Sequence, residues 1–318
     1  MDNLKIIKYN DDYEKIWDNF IDNGIFGTIY HTRKFINYHP KDRFQDESIL
    51  IFNNDDVICI LPCCKKGDKY FSYTGSTFGG PVFLKKYFKI KYLISIINKI
   101  FDYYDNQIEF RLANNIYFEE SSFILQYLLS RKLNLKPELS WYINTDSNFI
   151  NNITNKRNRQ NLDKLIKNNS ITPYITNNEN DYIEYHKILN EMLKSNHDSK
   201  STHTLEEFLL LKNILQEKQE LYIVKEDNVI LGGVYVIKVT KQCWYTFYIS
   251  RNINFNNSSV YLIYIMYQIS NNAKKNNVKY LDYGICTEEQ GSIINEGLAN
   301  FKEDSFGGIS NYRYLFLK

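Results

Sequence analysis

The chain has 318 residues, of which 43% are hydrophobic and 24% charged, so it is long enough for two domains and apolar enough for packed cores. Its 39 basic and 37 acidic residues give a formal net charge of +2, which excludes the whole-chain basic bias typical of nucleic-acid binding proteins. The sequence therefore predicts a folded protein that does not bind DNA, in which any site for a polyanion is a local patch.

The N-terminal residues, MDNLKIIKYNDDYEKIW, lack the apolar core and cleavage site of a secretory signal. The longest apolar run, VYLIYIMYQIS, is far shorter than the roughly 20 residues that a membrane-spanning helix needs. The cysteines are odd in number and show no CxxC spacing: Cys59, Cys63, Cys64, Cys243 and Cys286. We therefore expect a cytoplasmic protein without a membrane span, whose cysteines are buried free thiols.

The first half of the chain alternates strand and helix patterns. Two apolar runs flank NNDD in DESILIFNNDDVICILPCC, which is typical of a β-hairpin. Next come a predicted helix, strand, helix and strand, over YLISIINKIFDYYDN, IEFRLAN, SSFILQYLLSRKL and LSWYINT.

The second half repeats this order of elements. ELYIVKEDNVILGGVYVIKV predicts a hairpin around EDN, and QCWYTFYIS predicts a third strand. A helix, strand, helix and strand follow, over VYLIYIMYQISNNAKK, KYLDYGI, EEQGSIINEGLANFKE and NYRYLFLK.

Corresponding positions of the two halves lie at one constant separation along the chain: Asp56 and Asn228 in the hairpins, Ile108 and Tyr280 at strand starts, and Ser140 and Tyr312 in the last strands. Duplication leaves such a repeated register. We therefore predict an α/β fold with mixed sheets, built of two tandem domains at residues 1–147 and 148–318. The last strand, residues 311–318, is able to pack against the first domain.

The last predicted helix carries a lysine, Lys302, just before a double-glycine turn. TEEQ, from Thr287 to Gln290, has the pattern of a capping box that starts this helix. An apolar stripe at helical spacing follows, and Lys302 borders it; the stripe consists of Ile293, Ile294, Gly297, Leu298 and Phe301. A lysine there can simply answer the helix dipole with its ammonium in water, so a functional role needs further support.

Two other polar residues are candidates for acid–base chemistry. Asp282 stands inside the apolar strand KYLDYGI, where an unpaired carboxylate is costly, so it is either paired structurally or faces a cleft as a general base. His203 lies in the polar segment NHDSKSTHT and can act as an acid or base. A zinc site with His197 and Asp198 would need a further ligand that the segment lacks, so we expect no metal.

Two further segments belong to predicted helices. NKRNRQNLDKLIK carries Arg157 and Arg159 among several lysines, and a charge run of this kind is by default a solvated helix face. In the segment NNSSVYLIY, Ser258 or Ser259 is a good N-cap for a helix.

The order of elements is that of a GNAT acyltransferase domain, and the tandem arrangement resembles the Fem-type peptidoglycan aminoacyl transferases and the FemAB-like acetyltransferases grouped with them. The resemblance is carried by GTIYHTRKFINYHP, NITNKRNRQNLDKLIKNNS, THTLEEFLLL and, most specifically, YLDYGICTEEQGSIINEGLANFKEDSFGG. The sequence departs from the GNAT pattern at RNINFNNSS, which lacks the glycines of the usual phosphate loop.

The resemblance implies direct transfer of an acyl group to an amine, in a cleft between splayed strands. It places Phe301 and Lys302 at the reacting end of the donor, where the lysine stabilises charge in the transition state. It also implies that the diphosphate of the acceptor is bound by Lys34, with Arg33 as a rival, and by Arg157 or Arg159. Ser258 and Ser259 are then expected at the donor.

Two donor classes follow from the resemblance. An acyl-CoA donor with a nucleotide-linked amino sugar of the cell envelope as acceptor fits the short chain, which has no room for a long helical arm. An aminoacyl-tRNA donor with a muropeptide acceptor fits the missing phosphate loop. A third interpretation is a binding protein that keeps the duplicated fold without catalysis.

Overall fold

The structure is a computed structural model that describes residues 4–40, 43–256 and 258–318. The chain forms two compact units. The first unit contains the described residues up to Glu138 together with Glu289–Ser292 and Tyr312–Lys318, and the second contains Leu139–Glu288 and Ile293–Asn311. The domain boundary predicted between residues 147 and 148 remains a prediction.

The first unit begins with short strands and helices and ends with two amphipathic helices. Its strands are β1 (Leu4–Lys8), β2 (Gln45–Asp46), β3 (Ile49–Asn53), β4 (Asp56–Leu61), β5 (Cys64–Lys66), β6 (Lys69–Phe71), β7 (Val82–Phe83) and β8 (Ile108–Leu112). Its helices are α1 (Glu14–Asn23), α2 (Arg33–Ile36), α3 (Ile90–Tyr103) and α4 (Phe123–Ser130). The long strand β9 (Asn134–Asn144) then leads the chain into the second unit.

The core of the first unit lies between its sheets and the helices α3 and α4. One sheet has the order β1-β3-β4-β7, and β8, β6, β5 and β2 are neighbours in another. The pairing of β6 with β8 is parallel. Leu93 and Ile97 of α3 and Leu129 of α4 are buried against Phe110 of β8, because each helix carries its apolar residues on one face.

The second unit is larger. Its helices are α5 (Phe149–Asn152), α6 (Lys156–Asn168), α7 (Glu179–His197), α8 (Leu205–Leu215), α9 (Ser258–Lys275) and α10 (Glu296–Phe306). Its strands are β10 (Tyr174–Thr176), β11 (Gln219–Glu226), β12 (Val229–Ile237), β13 (Cys243–Arg251), β14 (Tyr280–Ile285), β15 (Thr287–Glu288) and β16 (Ile293–Ile294). The last strand, β17 (Ile309–Leu317), pairs with β8 in its second half.

The sheet of the second unit has the order β10-β11-β12-β13-β14-β9. All of these pairs are antiparallel except β13 with β14, which is parallel. Leu262 of α9 and Phe306 of α10 are buried in one apolar core with Trp244 and Leu281 of the parallel pair. Each unit thus contains one parallel strand pair, followed by helix and strand in the same order.

Most predicted elements are confirmed. Both predicted hairpins form, as β3–β4 and β11–β12, and the predicted helices over α3, α4 and α9 are present. All five cysteines are free and buried, as expected. None of the helices in the described parts of the chain is both long and apolar enough to cross a membrane.

The start of the last helix was predicted wrongly. Thr287 lies in β15, which pairs with β16, and α10 begins only at Glu296 with Asn295 as its N-cap. TEEQ is therefore not the capping box of this helix. The predicted apolar stripe is also wrong, because Ile293 and Ile294 are 47% and 52% exposed in β16.

Candidate active site

The parallel strands β13 and β14 of the second unit pair over only part of their length, and the place where they separate is called the cleft below. They pair from Cys243 with Tyr280 as far as Tyr245 with Asp282. The hydroxyl of Thr246 still donates to the Asp282 carbonyl at 3.1 Å, but beyond this point each strand pairs only with its outer neighbour. Backbone groups on the inner edges of two separating strands are available to a ligand.

Both strands carry a β-bulge at the point of separation. On β13, Tyr235 faces Tyr248 and Val236 faces Thr246, so Phe247 is one extra residue. On β14 the pairing with β9 shifts between Asp282 and Ile285. Bulges bend a strand and redirect its side chains and backbone groups, which explains how two strands can diverge here.

The bulge of β14 depends on Gly284 and Asp282. Gly284 has φ +76°, in the left-handed region that glycine favours. Its N–H donates to Asp282 Oδ1 at 2.7 Å. Asp282 is 5% exposed, so its carboxylate is buried and held by the backbone two residues further along the strand.

Lys302 lies directly against this bulge. It is 4% exposed, and its ammonium donates to the carbonyls of Gly284 and Ile285, both at 3.1 Å. The alternative in which this lysine only answers the helix dipole with its ammonium in water therefore does not describe the structure. Lys302 is on the buried face of α10, together with Ala299, Ser305 and Phe306.

The surroundings of the Lys302 ammonium change its proton affinity. Burial lowers the pKa of Lys302, and the neighbouring Cys286 thiol and Asp282 carboxylate act in the opposite direction. Burial likewise raises the pKa of Cys286, and the Lys302 cation opposes that rise. Lys302 is thus a buried cation bonded to two neutral carbonyls, with the Cys286 thiol and the Asp282 carboxylate beside it, and in such a buried place its field acts strongly on any nearby charge.

Phe301 and the end of α10 complete this wall of the cleft. The half-buried Phe301 ring packs edge-on against the Phe306 ring, with the two ring centres 4.9 Å apart. The helix ends at Gly307, whose φ of +64° closes the last turn. The N-terminal end of α6 holds this turn, because Asn155 N–H donates to the Asp304 carbonyl at 3.2 Å and Asn158 donates to Ser305 Oγ at 2.9 Å.

The predicted diphosphate residues lie on both units. In the second unit, Arg157 is exposed and Arg159 half-buried in the first turns of α6. In the first unit, Lys34 is exposed on α2. Within residues 4–40, 43–256 and 258–318, none of the three makes an ion pair that would occupy it.

Arg33 is a poor candidate for phosphate binding. Its side chain is 2% exposed and forms an ion pair with Asp46. The guanidinium also lies 3.6 Å from the centre of the Tyr9 ring and donates to Ser48 Oγ at 3.3 Å. Arg33 therefore stabilises the core of the first unit, and Lys34 is the cation of this segment that a ligand can reach.

His203 lies beside the bulge of β13. Its Nδ1 is 2.7 Å from Tyr248 Oη, and its ring centre is 5.5 Å from that of Phe247. His186 Nε2 lies 2.9 Å from the His203 carbonyl and fixes the backbone. No group of His, Cys, Asp and Glu side chains suited to a metal ion occurs among the described residues, and the His197 side chain is not among them.

The two donor-site serines are in the first turn of α9. The helix begins at Ser258, so both serines are helical and neither is the N-cap residue, which corrects that prediction. The buried Ser258 hydroxyl accepts from Arg251 Nη1 at 3.2 Å. Arg251 thereby places a guanidinium beside the helix start, where anions are favoured.

The first unit has a cavity of about 280 Å³ where its own parallel pair, β6 and β8, ends. Its lining includes the cations Lys66 and Arg111, the carboxylate of Glu109, and the aromatic residues Phe71, Tyr73 and Phe110. Ile36 of α2 packs in a cluster with Tyr73 and Phe71, so the short helix that bears Lys34 supports the wall of this cavity.

The structure thus brings Asp282 and Lys302 together and places His203, from the segment before α8, against Phe247 and Tyr248 of β13. Sequence reasoning missed the carbonyls of Gly284 and Ile285, the bulge at Phe247, and Tyr248. One signal was present, because a lone glycine inside a strand pattern often marks a bulge. The aspartate two residues before it is a further indication.

No family model matches the chain, and the search of curated proteins found no match. Solved structures do match over nearly the whole chain. FemX has 11% sequence identity and a TM-score of 0.70, over 99% of this chain and 97% of FemX. L-PGS from Bacillus licheniformis has 8% identity and a TM-score of 0.57, over 98% and 92% of the two chains.

A tandem GNAT protein from the clavulanic acid biosynthesis pathway is also similar, with 7% identity and a TM-score of 0.56 over 99% of this chain and 97% of that one. At these identities the likeness concerns the fold. The parallel pairs β6–β8 and β13–β14, one in each unit, agree with that architecture. The chain therefore has the tandem GNAT fold that is also found in FemX.

Proposed function

We propose that this protein is an N-acyltransferase that joins an acyl group to an amine in one direct step. The observation that carries the proposal is the buried Lys302 ammonium, fixed by two carbonyls at the point where β13 and β14 separate. A fixed cation in a water-poor cleft is the kind of group that stabilises an oxyanion during acyl transfer.

In the proposed step, the amine attacks the acyl carbonyl, the thioester or ester bond breaks, and the amine loses a proton. Negative charge on the carbonyl oxygen grows only as the bond forms, so a cation that meets it raises the rate rather than ground-state affinity. Lys302 is proposed to supply that cation, and Phe301 a half-buried contact for the acyl end of the donor. Asp282, predicted as a possible base, has one oxygen already engaged by Gly284 N–H.

The proton of the amine needs an acceptor, and His203 with Tyr248 is our candidate. The imidazole is 2.7 Å from the phenol oxygen, so a proton taken by one group can be shared with the other. Burial raises the pKa of Tyr248, which keeps the phenol protonated and able to donate. Of the two, the imidazole is therefore the group that can accept a proton.

We further propose that the acceptor is a nucleotide-linked amino sugar of cell-envelope synthesis and that transfer takes place in the cytoplasm. Each unit offers cations suited to a diphosphate: Lys34, which is exposed, in the first unit, and Arg157, exposed, with Arg159, half-buried, in the second. The cavity of the first unit has two cations, Lys66 and Arg111, one carboxylate, Glu109, and three aromatic residues in its lining, a combination that suits a ligand carrying both a charge and a ring.

The proposed donor is an acyl-CoA, with its phosphates at the first turn of α9 and beside Arg251. The second candidate is transfer from an aminoacyl-tRNA to a muropeptide. It is favoured by the TM-score of 0.70 with FemX and by the absence of glycine from RNINFNNSS. A binding protein without turnover is the remaining alternative.

A transfer assay tests the proposal. The protein is incubated with acyl-CoAs and nucleotide-linked amino sugars, and free CoA is measured with a thiol reagent, to which the five buried cysteines should contribute little. We expect Lys302→Met, which keeps most of the stem and removes the charge, to lower kcat about a hundredfold or more, the cost of one oxyanion donor.

Lys164→Met removes an exposed lysine on α6 and serves as the matched control with unchanged turnover. A folded Lys302→Met protein with wild-type turnover would refute the role of this lysine. If aminoacyl-tRNA and a muropeptide support transfer while acyl-CoA does not, the second candidate is correct. Absence of product with either donor class, together with binding of an acceptor, would indicate the binding protein.

A further inference from the structure

The bulge of β14 contains a feature that a regular strand cannot have. Two successive carbonyls, those of Gly284 and Ile285, both accept from the Lys302 ammonium at 3.1 Å. In a regular strand successive carbonyls point to opposite sides. One ammonium can therefore bond both only because the backbone is turned between them, which is the effect of a bulge.

Asp282 is the side chain that fixes this turn. The regular pairing with β9 ends at Asp282 and resumes at Ile285, and inside the irregular stretch the Gly284 N–H donates to Asp282 Oδ1 at 2.7 Å. Asp282 itself is 5% exposed. A hydrogen bond from a backbone N–H to a buried carboxylate is charge-assisted and stronger than a neutral one.

We propose that Asp282 is a positioning residue for Lys302: its carboxylate holds the bulge whose carbonyls fix the ammonium in the cleft. The expected effect of Asp282 on the reaction rests on the proposed function. The expected effect of Asp282 on the position of the Lys302 ammonium does not. Asp282 would affect the reaction indirectly: it holds the backbone at residues 284 and 285, and this backbone holds Lys302. Asp282 therefore does not need to touch the substrate.

Asp282 also acts on Lys302 as a charge. Two titratable groups influence the ammonium, the Asp282 carboxylate and the Cys286 thiol, and both favour its protonated form against burial. Replacing the carboxylate by an amide therefore keeps an acceptor for Gly284 N–H but removes a charge. Replacing it by a methyl group removes both, so the two substitutions separate the two effects.

The test uses the full-length protein with carbon-13 labelled lysine, and NMR follows the titration of the Lys302 side chain, identified by its loss in Lys302→Met. In Asp282→Ala we expect the Lys302 signal to move to the position of exposed lysines, because the carbonyls turn away. In Asp282→Asn the ammonium should stay in place and titrate at lower pH than in the wild type. The control is Asp304→Asn, which changes an exposed carboxylate on α10, the helix that carries Lys302. This variant should leave the Lys302 titration unchanged.

If Asp282→Ala does not fold, Asp282→Asn alone decides, and an unchanged Lys302 titration in that variant overturns the proposal. A folded Asp282→Ala protein with wild-type Lys302 signals overturns it as well. Where transfer is measurable, we expect Asp282→Ala to lower kcat at least tenfold with little change in KM. A protein without any transfer activity would refute the proposed function and leave the NMR result to judge the positioning role separately.

Discussion

Two cations are buried among the described residues, and their different partners indicate different tasks. Arg33 forms an ion pair with Asp46 and lies over the Tyr9 ring, so its charge is neutralised within the fold. Lys302 instead donates to the neutral carbonyls of Gly284 and Ile285, with the Cys286 thiol and the Asp282 carboxylate nearby. A buried ammonium on neutral acceptors is costly to keep, and such perturbed groups are concentrated at functional sites.

This cost leads to a prediction about pH and stability. Burial places the pKa of Lys302 below 10.5 in the folded protein. Between that lowered pKa and 10.5 the unfolded chain binds more protons than the folded one, so stability rises with pH in this window. Lys302→Met lacks the contribution. The unfolding free energy of the wild type minus that of Lys302→Met should therefore increase as pH rises from neutral towards 10.5.

Urea unfolding at several pH values measures this difference, and other titrating groups cancel when the two proteins are compared. Lys164→Met, on the exposed side of α6, should show a constant difference from the wild type. A constant difference for Lys302→Met too would mean that its ammonium is hydrated in solution, which is the non-functional alternative for this lysine.

At the scale of elements, periodicity predicted the fold well and the site poorly. The strands β11 to β14 and the helix α9 follow from apolar patterns that persist over many residues. The start of α10 does not, because the pattern of a capping box at Thr287 occurs in a short β-hairpin, while Asn295 is the actual cap. A real capping box lies elsewhere, at Thr204 and Glu207 of α8.

The parts of the site that sequence missed are matters of packing. Lys302 was identified, but its burial depends on α10 lying against the bulge of β14, and a glycine in a strand can indicate a bulge without showing which residue packs against it. Arg33 and Lys34 are neighbours in sequence, and only the fold distinguishes the enclosed guanidinium from the exposed ammonium. Long-range contacts of this kind cannot be predicted from local sequence patterns.

The helix α10 offers a matched pair of glycines for a prediction at this scale. Gly297 lies in the first turn with its nearest neighbour atom, Asn295 Oδ1, 3.9 Å from where a Cβ would stand. Gly307 ends the helix with φ +64°, and a Cβ there would lie 2.3 Å from Asn152 Cβ. We expect Gly297→Ala to stabilise the protein by up to about 1 kcal/mol and Gly307→Ala to destabilise it by about 1–3 kcal/mol.

Denaturant midpoints of the two variants check this, provided that the slope of unfolding free energy against denaturant is unchanged. Gly307→Ala should also lower the transfer rate, because Gly307 holds the end of the helix that carries Lys302. Equal stability of the two variants would show that the end of α10 adapts freely, and that Lys302 is not held from this side.

At the scale of the whole molecule, the fold contains a duplicated architecture whose two units carry different chemistry. The second unit has the fixed cation at its separating strands, whereas the first has a cavity with Lys66, Arg111 and aromatic side chains at the equivalent place. The net charge of +2 gives little long-range attraction for anions, so ligand selectivity must come from these local groups.

This difference makes a prediction about ligand binding. A ligand present at 100 times its dissociation constant stabilises the folded state by about 2.7 kcal/mol, which thermal unfolding detects easily. We expect both an acyl-CoA and a nucleotide-linked amino sugar to raise the melting temperature. Lys34→Ala, Arg157→Ala and Arg159→Ala should leave the acyl-CoA shift intact, and those that bind the diphosphate should reduce the shift from the nucleotide-linked acceptor.

The salt dependence of acceptor binding, together with a control variant, tests whether these cations bind the diphosphate. An acceptor held by a cation and a diphosphate loses affinity as ionic strength rises, so a variant that removes the relevant cation should show a weaker salt dependence as well as a smaller shift. Lys167→Ala, an exposed lysine at the other end of α6, should behave as the wild type. If the acceptor raises the melting temperature of all three cation variants as much as that of the wild type, these residues are only solvated surface groups.

A rise in melting temperature with UDP-muropeptide, and none with acyl-CoA or an amino sugar, would direct the search to aminoacyl-tRNA. The acceptor would then be the one that belongs with that donor.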